Sequence, residues 1–389
     1  MVAATSGAAM DSGDDPQLDI VAQRWPDITL AEADSLVGLI RGGDGVRARG
    51  MASHSGRPTA AAALVDTSRG LLFIKRYTRS VRDVETITPY HRFVAYLADR
   101  GVPTPRFLGF ESTDGGTVLV RGDFVYEAYW AAAGEDEYGS ALTWDPPRAP
   151  DHARSLGAFL AQIDCAAAGF DEPALAPNGM SNSFGVFAQD DIDGAVESWL
   201  ECRPSVRGYL AITDRDLHAD LDVVRTYSRA LSGVYPTLEE RWTHGDPHVS
   251  NFLWKGGRPA AVIDFGLADR NTAVFDVAML LERHCIQWVD VMNGKDDAYR
   301  IDVARDLLEG YTSVRPLSDI EKTVLPDVLA ISQAQSGLSW LQYYMDGTHR
   351  MEDAAWCYDV CFLAHTRWFG SDSGRRFLDA LRGILDEVD

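Results

Sequence analysis

Apolar and polar positions alternate over short spans in the first third of the chain and recur at helical spacing over most of the rest. LLFIKRY (Leu71 to Tyr77) reads as an apolar strand with one lysine inside it. The small-residue stretch MASHSGRPTAAAALV (Met51 to Val65) precedes it, and the Asp-Thr-Ser-Arg-Gly turn between the two predicts a hairpin. PYHRFVAYLADRG then shows Phe93, Val94 and Leu97 on one helical face, with Gly101 as the stop. Further short strands end in FVYEAYW (Phe124 to Trp130). Upstream, Ile20 to Ile40 predicts a short amphipathic helical region broken at Trp25-Pro26 and closed by RGGDG.

Beyond AAAGEDEYG the pattern becomes helical and stays so, apart from FLWKGGRPAAVIDF. There Gly256-Gly257 is a two-residue turn signal between two apolar strands. A small β-rich part followed by a larger helical part is an α+β order. The expected divisions are a disordered tail over 1–18, a helical extension over 19–48, a β-rich lobe over 49–127 and a helical lobe over 128–389.

Composition narrows the partners. Asp and Glu number 58 against 36 Lys and Arg, a formal charge of −22. Nucleic acid and anionic membrane surfaces are therefore not expected partners, because both need clustered cations. A cationic small molecule is permitted but not required. Five cysteines are too few and too scattered for a disulfide framework, so reduced thiols and a cytoplasmic location are expected. The N-terminal stretch has no basic residue and no sustained apolar run, so it does not read as a signal peptide, and Met10 is a second possible start. No stretch approaches the roughly twenty apolar residues of a membrane helix. The expected assembly is a monomer or homodimer.

The chemistry concentrates around the second hairpin. His244-Gly245-Asp246-Pro247-His248-Val249-Ser250-Asn251 stands before it and Val262-Ile263-Asp264-Phe265-Gly266 after it. A loop presents Asp246, Asn251 enters a strand, and the tight turn returns Asp264 beside Asn251. An amide oxygen beside a carboxylate suits Mg²⁺. A separate carboxylate can orient a hydroxyl and accept its proton. Together these form a phosphoryl-transfer layout. His244 and His248 fit either loop bracing or a more direct role, bracing being the simpler reading.

HGDPHVSN followed by IDFG resembles the signature of the kinase-like phosphotransferase superfamily, which includes aminoglycoside phosphotransferases, choline kinases and homoserine kinase-type enzymes. The resemblance implies a bilobal protein-kinase-like fold with a small β-rich N-lobe and a larger helical C-lobe. It also implies ATP, with GTP not excluded, and Mg²⁺ as cofactor. Within it, Asp246 is the catalytic base and Asn251 and Asp264 are the metal ligands. Lys75 matches the strand lysine that holds the α- and β-phosphates; a lysine at a strand edge with its head in water is the alternative. Ser55, Gly56 and Arg57 fall where a phosphate loop is expected, without a G-x-G-x-x-G pattern. Backbone near Glu127 and Ala128 is expected to contact adenine. The helix glutamate that normally pairs with the lysine is missing from its usual place, where Tyr90 or His91 stands, and Glu85 is the nearest candidate. Asp276 is expected to be an N-cap and loop anchor.

The acceptor is expected to be a small molecule bound by the C-terminal helices, with Trp288, Trp340, Tyr344 and Arg283 as candidate contacts. Their aromatic faces suit a cation or a flat ring; ordinary helix packing is the competing explanation. Three functions stay open: a small-molecule O-phosphotransferase acting on an antibiotic or metabolite alcohol, a protein Ser/Thr kinase of the bacterial stress-kinase type, and a nucleotide-binding pseudokinase. Against the second, only LADRNTAVFD separates IDFG from the next helical run, too short for a peptide-docking platform.

Overall fold

The computed structural model describes residues 25–55, 59–113 and 116–388. The expected tail over 1–18, together with Gly56 and Arg57, lies outside them.

The first lobe is a five-stranded antiparallel sheet in the order β1-β2-β3-β5-β4. Its strands are β1 (Ala48–Ser55), β2 (Ala61–Thr67), β3 (Gly70–Thr78), β4 (Leu119–Arg121) and β5 (Phe124–Trp130). Period-2 alternation divides β3 between two faces. Leu72 and Ile74 join a core with Val65, Leu119 and Ala128, covered by helix α1 (Leu30–Val37) through Ala33, Leu36 and Val37. Arg76, on the same face, donates to Glu32 of α1 at 2.8 Å. The described part of the helical extension expected over 19–48, residues 25–48, thus shares the sheet's core. Phe73, Lys75 and Tyr77 point the other way, towards the second lobe.

Helix α2 (Val84–Asp99) covers that other face. It starts before Pro89, where the sequence pattern suggests a start, because Asp83 and Thr86 form a capping box: Thr86 N donates to Asp83 Oδ1 and Asp83 N to Thr86 Oγ1, both at 3.0 Å. Phe93 of α2 meets Phe265 edge-on at 6.0 Å, which ties the helix to the second lobe.

The second lobe is helical. Helix α3 (Pro150–Ala167) lies against the Ile301–Thr312 helix at very short range. Two glycines permit this: a Cβ on Gly157 would stand 2.0 Å from the Leu307 carbonyl oxygen, and one on Gly310 2.0 Å from that of Arg154. The Ala273–Cys285 and Asp319–Tyr343 helices form the centre. Two small ribbons, β6 (Glu240–Thr243) with β9 (Asp269–Thr272) and β7 (Phe252–Lys255) with β8 (Arg258–Val262), lie where this lobe faces the first. Among the described residues no helix is long and apolar enough to cross a membrane.

Candidate active site

The β7–β8 hairpin sets the site. Gly256 and Gly257 take positive φ of 60° and 74°, the left-handed pair that such a turn needs. The resulting register places Phe252 opposite Val262, and Ile263 N donates to Asn251 O at 2.8 Å. Asn251 and Asp264 are thereby held at the hairpin's open end. Asp264 itself sits at φ 57°, ψ 64°, a left-handed conformation that a non-glycine residue adopts only when its surroundings enforce it.

The loop ahead of the hairpin is held from below. Asp276, fully buried on the Ala273–Cys285 helix, accepts from His244 N at 2.7 Å and Gly245 N at 2.8 Å, one donor on each carboxylate oxygen. It is not the helix cap: Thr272 is, accepting from Phe275 N. His244 is also fully buried. Its Nε2 donates to Ile263 O at 3.0 Å and its Nδ1 accepts from Asp246 N at 3.2 Å, so a neutral ring bridges the loop to the strand that carries Asp264. Burial keeps that ring's pKa below its ordinary value.

Asp246 has three neighbours. Arg283 Nε donates to Oδ1 at 3.0 Å, His248 Nε2 lies 3.5 Å from Oδ2, and Asn251 Nδ2 donates to the Asp246 backbone oxygen at 2.8 Å. Burial acts to raise the carboxyl's pKa, but His248 and Arg283 outweigh it and hold Asp246 well below the usual carboxylate range. With Nδ2 turned to Asp246, Asn251 Oδ1 carries no hydrogen bond among the described residues. Neither does Asp264 Oδ2. An amide oxygen and a carboxylate oxygen with open lone pairs fit a hard divalent cation. Among the described residues no group of three or more His, Cys, Asp or Glu is arranged to hold a metal.

Lys75 reaches across from the sheet and donates to Asp264 Oδ1 at 2.7 Å. Burial works against its charge, but Asp264, with Tyr77 and Glu127 nearby, more than offsets this, and the ammonium stays protonated. Glu85, the sequence's candidate partner, is exposed on the first turn of α2 and does not pair with Lys75. The early start of α2 is the reason, since it turns that position to solvent. Glu127 and Ala128 also differ from expectation. They lie in mid-strand, opposite Lys75 and Ile74, and Ala128 O accepts from Leu108 N at 2.8 Å. Strand β5 ends at Trp130, and Ala131 N still donates to Leu71 O at 2.9 Å. Ser55 ends β1, paired with Ala62.

Three of the four acceptor candidates are buried. Trp288 is fully buried, stacked on His365 at 3.7 Å and donating through Nε1 to Glu282. Tyr344 is fully buried beside Trp340 and Tyr343. Arg283 is held between Asp246 and Glu282, whose Oε2 it meets at 2.7 Å. Other helices cover these positions, which no local pattern announces. Trp340 alone is half-buried; with Ser181, Asn182, Gly245, Ser336 and Ser339 it lines a cavity of about 30 Å³. The sequence reading missed Glu282 and Arg82. Arg82, also buried, donates to the carbonyl of Gly266 just after Asp264. The visible signal for Glu282 is a Glu-Arg-His triplet inside a helix whose every residue is buried.

A small antiparallel sheet over a helical lobe, with a loop aspartate, an Asn–Asp pair and a strand lysine meeting between them, defines a kinase-like phosphotransferase acting on an alcohol group. Residues 56–317 match the model of the phosphotransferase enzyme family (APH), and the chain belongs to that family. Homoserine kinase from Caulobacter vibrioides is 29% identical over 267 residues, 68% of this chain and 72% of that protein. Homoserine kinase from Polaromonas naphthalenivorans is 26% identical over 291 residues, 75% and 80% of the two chains. Among solved structures, the microcompartment-associated aminopropanol kinase superposes with a TM-score of 0.56 at 15% identity, covering 92% of this chain and all of that one (100%). A spectinomycin phosphotransferase, in complex with ADP and spectinomycin, superposes with a TM-score of 0.50 at 13% identity over 92% and 99%. These likenesses concern the fold.

Proposed function

We propose that the protein uses ATP and Mg²⁺ to phosphorylate a hydroxyl of a small metabolite, a hydroxy amino acid such as homoserine being the first acceptor to test. The observation that carries this is the convergence of Asp246, Asn251 and Asp264 at one hairpin, with Lys75 donating across the cleft to Asp264. Identity to homoserine kinases favours a metabolite over an antibiotic. The segment over 265–272, between Asp264 and the helix starting at Ala273, is too short to dock a peptide.

Asp246 orients the acceptor hydroxyl and receives its proton. With Arg283 and His248 beside it, it is a weak base, which suits a loose transition state in which proton transfer comes late. The acceptor oxygen forms a bond to the γ-phosphorus as the bond to the β-bridging oxygen breaks. Lys75 would hold the phosphate oxygens, and Asn251 with Asp264 would hold the metal. Bound Mg²⁺ supplies charge neutralisation on the phosphates. Positioning accounts for most of the rate.

The test is mass spectrometry of acceptors incubated with ATP and Mg²⁺: homoserine, choline, ethanolamine, sugars, aminoglycosides and macrolides. The expected result is a gain of one phosphoryl on a small metabolite, lost in Asp246→Asn. Phosphorylation of an antibiotic alone would move the acceptor class. Phosphorylation of a peptide, or no turnover with any acceptor, would overturn the reading.

A further inference from the structure

Lys75 has one carboxylate partner among the described residues, Asp264, and Asp264 belongs to the pair proposed above to hold the metal. A carboxylate shared with a divalent cation holds an ammonium less strongly. With the metal bound, orienting Lys75 towards the incoming phosphates therefore calls for a second carboxylate. Helix α2 does not provide one, because Glu85 is exposed and Tyr90 and His91 occupy its inner face.

The second carboxylate comes from the sheet. Glu127 is the register partner of Lys75 on β5, so the two side chains share a face with Cβ atoms about 4.5–5.5 Å apart. Glu127 is only 4% exposed. Its Oε2 accepts from the Tyr90 hydroxyl and from His91 Nε2 at 3.0 Å, while Oε1 carries no hydrogen bond among the described residues. Lys75 has spare capacity too: of its three donors, one is used, on Asp264. The clamp is itself braced. His91 Nδ1 lies 2.7 Å from Thr117 Oγ1, and the ring stacks on Phe107 at 3.5 Å. The other polar groups on this face are the buried Tyr77 hydroxyl, without a hydrogen-bond partner among the described residues, the Tyr129 hydroxyl, and Arg82, which donates through its Nη atoms to the carbonyls of Thr86 and Gly266 and leaves Nε without a partner among the described residues.

We infer that Glu127 is the residue that positions Lys75 for the nucleotide, with Tyr90 and His91 tying its carboxylate to α2. In the protein-kinase plan the helix supplies the carboxylate to the strand lysine. Here the neighbouring strand supplies it, and the helix supplies hydrogen-bond donors. A shift of α2 still reaches Lys75, through Glu127. This rests on the proposed role of Lys75 in holding phosphate.

The test is direct binding of ATP, with Mg²⁺ and separately with EDTA, beside thermal unfolding of the same samples without nucleotide. Glu127→Gln keeps an acceptor for Tyr90 and His91 and removes the charge. The expected result is ATP affinity weakened about tenfold or more with the unfolding midpoint nearly unchanged. Lys75→Met weakens binding similarly, and the double variant is no worse than Lys75→Met alone, because both changes remove one interaction. Tyr90→Phe and His91→Gln each loosen the clamp and raise KM for ATP more than they lower kcat; they carry the test if Glu127→Gln fails to fold. Unchanged ATP affinity in Glu127→Gln, or losses that simply add in the double variant, overturns this inference and leaves the proposed function standing. Absence of ATP binding by the wild type overturns both.

Discussion

Arg283 and Asp246 form a nearly buried ion pair, Nε to Oδ1 at 3.0 Å, and Arg283 is in turn held by Glu282 at 2.7 Å. The aspartate proposed to align the acceptor is thus fixed through a guanidinium from the Ala273–Cys285 helix. Removing that guanidinium leaves Glu282 with the neutral Trp288 Nε1 donor and Asp246 with His248 and Asn251. Arg283→Met is expected to cost about 3–5 kcal/mol of stability, the range for breaking a buried pair on one side. Adding Glu282→Gln should recover part of that stability but not kcat, because Asp246 stays unoriented. Denaturant unfolding and steady-state kinetics on both variants check this.

Asp276 satisfies two buried backbone donors at the start of the same loop. Asp276→Ala leaves both without a partner, at about 1–3 kcal/mol for each. Asp276→Asn keeps one acceptor and should lose about half as much. Activity should fall in the same order, since His244 and Gly245 set the path to Asp246. Unfolding midpoints and kcat for the two variants decide it.

Gly245 has φ +81°, and a Cβ there would stand 2.2 Å from the Leu267 carbonyl oxygen. Gly245→Ala therefore incurs backbone strain of about 1–3 kcal/mol before any clash is counted. The loop must move to relieve it, and Asp246 moves with it. The expected outcome is a lowered melting temperature with a larger loss in kcat than in ATP affinity, measured by thermal unfolding and nucleotide titration.

His284 is fully buried, donating through Nδ1 to Leu280 O at 2.7 Å and accepting from Val249 N at 3.0 Å, a pattern that requires a neutral ring. Burial lowers its pKa to about 3. Between that value and the unfolded value of about 6.5 the unfolded chain binds a proton that the folded chain refuses. Its contribution is therefore full above pH 6.5 and declines as pH falls through this window, by about 1.4 kcal/mol per pH unit. His284→Gln should be less stable than wild type at pH 7.5, with the gap narrowing at that rate between pH 6 and 5. A gap independent of pH would show that the histidine is charged in the fold.

The β-rich lobe, the helical lobe and the hairpin between Asn251 and Asp264 are all legible along the chain. Each depends on short-range rules: period-2 alternation in LLFIKRY, helical periodicity, and two glycines that accept positive φ. The start of α2 is misread because Pro89 resembles a first-turn proline, whereas the Asp83–Thr86 box sets the start earlier. That shift of one turn and a half is what exposes Glu85.

Charge partners follow a different logic. Whether Arg283 faces an acceptor or Asp246, and whether Lys75 finds its carboxylate on a helix or on β5, depends on how elements far apart in sequence come together. Trp288 and Tyr344 look like binding aromatics in a helical pattern and become core only when the surrounding helices close over them. The sequence by itself determined the β7–β8 hairpin, because the spacing of Asn251 and Asp264 is enforced by a turn that the chain encodes locally. Only the tertiary structure decided the company those residues keep, because burial and ion pairing are properties of surfaces brought together, and desolvation acts on a side chain only after its neighbours have excluded water.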